Sequence, residues 1–196
     1  MPDRPALVVA TIGAEPRCAS GYHVAALLDA AISTSRPSLQ VGEQALHRWL
    51  SAASLVRPAS DGGVVVLVGD AAPGPTQALV RWDPAGFAAR ELVERRELGL
   101  PPAVRVAALT GSRDAVEAVV ARIDLPDGAE VLGPVAVDGP ATMELSPLAQ
   151  EVRAVVRAPL AVADALSRAV KVSMATRSAR REGGTVRVQI DPVELL

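Results

Sequence analysis

The chain has 196 residues, of which 49% are hydrophobic and 21% charged, and its formal net charge at pH 7 is −2. This length allows one large or two small domains, and the composition excludes an intrinsically disordered chain. The single cysteine, Cys18, excludes an internal disulfide and a cysteine-rich zinc site.

The first half of the chain alternates short apolar runs with helical patterns. Residues 24–29 fit either a strand or a helix, because Ala and Leu favour helix. Strands alternating with helices are typical of a parallel α/β layer, and a sheet of three such strands is small enough to be a piece of a larger domain. The other patterns predict strands over 6–11 and 64–68 and helices over 41–56, after Pro73–Pro75 and over 84–98.

The second half has a clearer pattern, and it begins after a break. Gly99 and Pro101-Pro102 end the last helix of the first half, since proline cannot continue a helix. The order β-α-β-β-α-β that follows is the ferredoxin-like split β-α-β arrangement. The predicted parts are residues 1–98, a junction at 99–103 and a domain at 104–196. Strands of this domain are predicted over 104–110, 131–137, 151–158 and 185–190, and helices over 116–123 and 161–181. A loop is predicted through Gly139-Pro140 and Ser146-Pro147.

Alternation along these strands predicts a cluster of arginines. In the third strand Val152, Ala154 and Val156 share one face, so Arg153 and Arg157 share the other. The same reasoning turns Arg187 away from the apolar face of the fourth strand, and Arg105 away from Val104 and Val106 in the first. Both helices of this fold cover one face of the sheet. The open face is therefore predicted to carry Arg105, Arg153, Arg157 and Arg187.

The local charge supports a phosphate-binding surface at these arginines. Eight acidic residues between Asp114 and Glu151 stand against Arg122 alone, whereas eight basic residues between Arg153 and Arg187 stand against two acidic ones. Guanidinium groups bind phosphate strongly and with little sequence information, and Arg168 and Lys171 are further candidates. The structural alternative is that the arginines pair with Glu91, Glu94, Glu97 or the acidic segment. Basic residues at the end of the last helix, Arg177, Arg180 and Arg181, equally suit the helix dipole.

Motifs for catalysis are missing from the sequence. The one lysine, Lys171, does not stand in a phosphate-binding G-x-x-x-x-G-K-[ST] loop. Cys18, His23 and His47 offer a nucleophile and bases without a third orienting group, and are interpreted as structural or surface residues. We expect no catalytic residues, no metal and no cofactor. Without an apolar signal segment or a membrane-length apolar run, a cytoplasmic protein is expected.

Residues 94–102, Glu-Arg-Arg-Glu-Leu-Gly-Leu-Pro-Pro, followed by a strand, resemble a known junction. It is the junction between the helicase core and the C-terminal domain in the primosomal protein N′ family of replication-restart helicases. The resemblance covers essentially the whole chain, and the C-terminal unit is similar to the family's final domain. The segments that resemble the end of the second RecA-like lobe in actinobacterial members are Ala6–Pro16, Gly21-Tyr22, Leu27–Asp29 and Ala78–Pro84.

One segment departs from the pattern of helicase-active members. Where these carry Gln-x-x-Gly-Arg-Ala-Gly-Arg, residues 52–59 read Ala-Ala-Ser-Leu-Val-Arg-Pro-Ala, with Arg57 as the only arginine. Arginines of this kind stabilise charge on a transferring phosphate. The resemblance therefore implies the C-terminal part of an ATPase-inactive member: a partial RecA-like lobe and a ferredoxin-like domain.

The implied role is recognition of forked or single-stranded DNA in replication restart. The implied partners are the single-stranded-DNA-binding protein and other primosome proteins, with no membrane. Two other interpretations stay open from the sequence. One is a protein-interaction module whose arginine face pairs with another domain, and the other is a small-molecule-binding regulatory domain of ferredoxin-like form.

Overall fold

A computed structural model of the chain describes residues 5–137 and 151–193. The chain forms two compact units that divide between Glu91 and Leu92. The predicted loop through Gly139-Pro140 and Ser146-Pro147 lies outside the described residues.

The first unit holds a short parallel sheet and a helical core. Apolar side chains spaced three or four residues apart on one helix, Leu46, Trp49 and Ala53, are buried with Leu79 and Phe87. Strands β1 and β2 are parallel neighbours, and their pairing runs from Val24 opposite Val64 to Leu27 opposite Leu67. The elements are β1 Val24–Leu27, α1 Ala30–Thr34, α2 Val41–Ala53, β2 Val64–Leu67, α3 Pro73–Arg81 and α4 Pro84–Leu98, which begins in the first unit and ends in the second.

The predicted buried strand over residues 6–11 is wrong. These residues form no strand, and the side chains of Leu7 and Val9 are 92% and 90% exposed. An apolar run becomes a buried strand only beside a neighbour that takes its backbone hydrogen bonds. The sheet of the first unit therefore has two strands in the described residues instead of three, and the ambiguous run at residues 24–29 supplies one of them. Even within this sheet Val24 and Val64 are half exposed.

The second unit has the predicted element order, β-α-β-β-α-β. Its four strands lie in the order β4-β5-β3-β6, and every neighbouring pair is antiparallel. The first, third and fourth strands are neighbours, as predicted. This α+β topology is compatible with the predicted ferredoxin-like arrangement. The elements are β3 Val104–Ser112, α5 Arg113–Val120, β4 Glu130–Ala136, β5 Glu151–Pro159, α6 Ala163–Ala179 and β6 Val186–Ile190.

Both helices of the second unit cover the same face of the sheet. Their buried side chains, including Val116 and Val119 on α5 and Leu166 on α6, form one cluster with Leu109 and Val156 of the two central strands. Burial of such side chains contributes about 1.5–3 kcal/mol each. The face of the sheet that packs against the helices is therefore determined by its apolar side chains.

The end of α4 is the junction that the sequence marks with glycine and two prolines. The amide of Leu100 donates to the carbonyl of Arg95 at 2.8 Å, and the amide of Gly99 donates to that of Arg96 at 3.3 Å. Gly99 has a φ of 62°, so the pair of hydrogen bonds forms a Schellman motif with glycine in its left-handed position. The helix thus ends at Leu98, as predicted.

Gly111 lets β3 approach the start of β6 closely. The amide of Ser112 donates to the carbonyl of Thr185 at 3.2 Å. A Cβ atom added at Gly111 would lie 1.8 Å from the carbonyl oxygen of Thr185. The backbone on both sides is held in the sheet, so it cannot move away without breaking the β3–β6 pairing.

We expect Gly111→Ala to destabilise the second unit by about 2–3 kcal/mol, because an added methyl group forces the two strands apart. In a domain of about 100 residues this corresponds to a fall in melting temperature of about 10 °C. Gly183→Ala is the control, since nothing lies within 4 Å of a Cβ at that position. Equal melting temperatures for the two variants, measured by circular dichroism, would contradict the described approach of the strands.

Candidate nucleic-acid interface

The sheet register assigns each strand arginine to one of the two faces. Residues directly opposite each other in antiparallel strands project to the same face. Thr110 of the central strand β3 pairs with both Arg153 and Arg187, and Val106 pairs with Arg157. These three arginines therefore lie on the face opposite the helices, as the alternation in β5 and β6 predicts.

Arg105 does not belong to this group, and its predicted position on the open face is wrong. It pairs with Ala158, which is part of the core beneath the helices. Its guanidinium lies 3.0 Å from the carboxylate of Asp191, just beyond β6, and that carboxylate also accepts the amide of Val106 at 2.9 Å. Residues 106–111 are apolar or small on both faces, so alternation around one arginine could not decide its side.

Arg157 is occupied by contacts within its own unit. Its Nε donates to the Glu130 carboxylate of β4 at 2.5 Å, and its Nη1 lies 3.1 Å from the carbonyl oxygens of both Leu98 and Gly99. One guanidinium thus joins β5 to β4 and to the end of α4. Glu130 belongs to the acidic segment, so the structural alternative drawn from the sequence holds for this arginine.

The other two arginines of the open face differ in their surroundings. Arg153 donates from Nε to the hydroxyl of Thr110 at 3.3 Å, which lies in the middle of the sheet. Arg187 is exposed on the edge strand β6. Its side chain makes no hydrogen bond or ion pair within residues 5–137 and 151–193, so it is the unpartnered cation of this face.

Arg168 and Lys171 lie on the other side of the second unit. They project from α6, whose buried residues Leu166 and Val170 face the sheet, and both are exposed. Neither side chain has a hydrogen bond or ion pair in the described part of the chain. The six predicted phosphate-binding residues therefore do not form one surface: three lie on the open face, two on the outer side of α6, and Arg105 beside Asp191.

The basic end of α6 separates into one structural and two exposed arginines. Arg177 is buried, and its Nη2 donates to the carbonyls of Gly183 and Gly184, which join the helix to β6. Arg180 and Arg181 are exposed, and their side chains make no hydrogen bond or ion pair with any described residue. Sequence reasoning assigned all three to the helix dipole, and only the burial pattern separates them.

Two of the other residues considered from the sequence, His23 and Cys18, have polar contacts within the first unit. His23 Nε2 lies 2.8 Å from the Nη1 of Arg57. The Nε of the same arginine donates to the carbonyl of Ser20 at 2.7 Å. Cys18 Sγ lies 3.4 Å from the hydroxyl of Ser20. Among the described residues there is no group of three potential metal ligands and no helix long and apolar enough to cross a membrane.

Comparison with known proteins identifies the family. A family model described as the primosomal protein N C-terminal domain matches residues 96–193, which include the end of α4 and every element from β3 to β6. The chain is 44% identical over 194 residues to a "Probable replication restart protein PriA" of Mycobacterium leprae, covering 98% of this chain and 30% of the relative. It is 43% identical over 201 residues to the protein of that name from Mycobacterium tuberculosis, covering 97% of this chain and 31% of the relative. The chain spans less than a third of these relatives' length, and it belongs to the primosomal protein N′ (PriA) family, matching the C-terminal part of its members.

Proposed function

We propose that the chain is a DNA-binding component of replication restart. The observation that carries the proposal is the exposed, unpartnered cations of the second unit, within a family whose relatives are named replication restart proteins. Cations without internal partners can exchange their counterions for phosphates, which is the main source of sequence-independent DNA affinity. Arg187, Arg168 and Lys171 are the candidates from the predicted set. Arg153 is a weaker candidate because of its contact with Thr110.

The DNA would be forked or single-stranded, as the resemblance implies. The second unit has no aromatic side chain among its residues, so stacking on bases cannot supply the affinity there. Binding would rest on phosphate contacts and would show little sequence preference. Contacts with the single-stranded-DNA-binding protein and other primosome proteins belong to the same proposal.

We further propose that the first unit is part of a RecA-like lobe. Its parallel strands are apolar yet half exposed, and parallel sheets normally have both faces covered. The relatives are more than three times as long as the chain, so they have further residues to complete such a sheet. A structure of a full-length relative in which β1 and β2 have no further parallel neighbours would overturn this proposal.

The lobe would not hydrolyse ATP. Residues 52–59 keep only Arg57 from the arginine-rich segment of helicase-active members. Its guanidinium is bound to His23 and to the carbonyl of Ser20 in the first unit. It would have to break these contacts to reach a nucleotide phosphate, and ATP hydrolysis by the chain in the presence of DNA would contradict this assignment.

Fluorescence anisotropy with labelled forked, single-stranded and duplex oligonucleotides tests the DNA-binding proposal. If about three phosphates are neutralised, the logarithm of the binding constant falls with the logarithm of salt concentration with a slope of about −2 for single strands. We expect forked and single-stranded DNA to bind, and three phosphate contacts on duplex would give a steeper slope of about −2.7. An absence of binding at low salt, or binding that does not change with salt, would contradict the proposal.

A variant of Arg157 distinguishes a structural role of the arginines on the sheet face from a role in contacting DNA. We expect Arg157→Ala to lower the free energy of unfolding by about 2 kcal/mol, because it removes hydrogen bonds from a charged donor to Leu98, Gly99 and Glu130. DNA affinity should change less than about twofold, since contacts to phosphate are otherwise unaltered. Arg187→Ala is the control for charge and should leave the melting temperature unchanged. A large loss of DNA affinity in a stable Arg157→Ala variant would assign this arginine to the interface instead.

A further inference from the structure

We propose that the phosphate backbone of DNA binds along the outer face of α6 and the turn that follows it. This surface, called the α6 cationic surface, consists of Arg168, Lys171, Arg180 and Arg181. The inference rests on the proposed DNA-binding function. It places binding on the helical side of the second unit, away from the arginine face of the sheet.

The two sides of the second unit differ in their number of unpartnered cations. On the sheet face Arg157 is held by Glu130 and by backbone carbonyls, which leaves Arg187 as the unpartnered cation. All four members of the α6 cationic surface are exposed, and none has a side-chain hydrogen bond or ion pair in the described residues. The exposed carboxylate of Asp164, in the first turn of α6, offsets one of these charges. The helical side still has more unpartnered cations than the sheet face, so it attracts phosphate more strongly.

The geometry of α6 brings two of these cations close together on its outer face. Arg168 and Lys171 are one turn apart and opposite the buried side chains of Leu166 and Val170, so they project in nearly the same direction. Arg180 and Arg181 follow at the end of the helix, about 18 Å from Arg168 at 1.5 Å per residue. At about 100° per residue Arg180 is turned about 120° around the axis from Arg168, and the face between them carries Val172, Thr176 and Ala179. A DNA strand that passes from one pair of cations to the other therefore crosses no side chain larger than valine.

The neighbouring helix α5 and the turn after it carry unpaired negative charge. Helix α5 packs beside α6 on the same face of the sheet. Three exposed carboxylates lie on it or in the turn after it, Asp114, Asp124 and Asp127, and none has a side-chain partner among the described residues. Its remaining exposed pair, Arg113 and Glu117, is internally neutralised at 3.4 Å. These negative carboxylates repel the negative phosphates of DNA, so α5 would confine the DNA strand to α6.

Two matched double variants of the full chain test this inference by anisotropy with a labelled oligothymidine. The first is Arg168→Gln with Lys171→Gln. The second is Arg187→Gln with Arg113→Gln, which removes the same charge from the sheet face and from α5. At about 0.1 M salt each lost contact with a single strand costs about fivefold, so the first variant should bind about 25-fold more weakly with a salt slope shallower by about 1.4. The sheet-face control removes at most the one contact of Arg187, so it should lose affinity by about fivefold or less.

Two further double variants test the C-terminal end of the α6 cationic surface and the carboxylates beside it. Arg180→Gln with Arg181→Gln should weaken binding by about fivefold, since this pair supplies the third of about three phosphate contacts. Asp124→Asn with Asp127→Asn should strengthen binding. All four are exposed positions, so melting temperatures should be unchanged and will show that each variant is folded.

The outcomes separate the inference from the function on which it rests. If the unmodified chain binds and the α6 variants bind equally well, or if the sheet-face control loses more affinity than they do, the α6 cationic surface is overturned and DNA binding remains. If the unmodified chain does not bind at low salt, both are overturned. Equal losses in both matched variants would also overturn the inference, since they would indicate a response to net charge alone.

Discussion

Burial of one face of the four-stranded sheet under α5 and α6 is the constraint on which the second unit depends. In β5 the alternation of Val152, Ala154 and Val156 with Arg153 and Arg157 leaves only one way to place the strand. Turning it over would bury two guanidinium groups beneath the helices, which costs several kcal/mol per charge without partners. The positions of the cations in the unit follow from this packing: sheet arginines lie on one side, and those of α6 on the other.

The role of each cation then depends on what it meets. Arg177 and Arg157 donate to backbone carbonyls at chain junctions, one between α6 and β6 and the other at the end of α4. Such contacts satisfy carbonyls that a helix end or a turn leaves without a partner. An arginine used in this way stabilises the fold and is not available to a ligand. A local excess of positive charge in the sequence therefore overstates the cations that can bind phosphate.

Much of this fold is predictable from the sequence, and the exceptions have physical causes. The residue pattern of the second half predicts all six elements, because the helices and β5 have a polar and an apolar face and β3 is an apolar run between turn residues. It fails for Arg105, since β3 is apolar or small on both faces after that residue. It also fails for residues 6–11, where strand formation depends on a neighbouring strand. The contact of Arg157 with Glu130, 27 residues apart in sequence, and the separation of Arg180 and Arg181 from Arg177 depend on tertiary packing.

We propose that DNA lies on the helical side of the second unit and not on its arginine-bearing sheet face. Titration of a ¹⁵N-labelled chain with an oligothymidine, followed by backbone amide chemical shifts in NMR spectra, distinguishes the two surfaces. DNA binding along α6 should give the largest shift changes at residues 168–181, with small changes along β5 and β6. Changes concentrated on β5 and β6 around Arg153 and Arg187, with α6 unaffected, would contradict it.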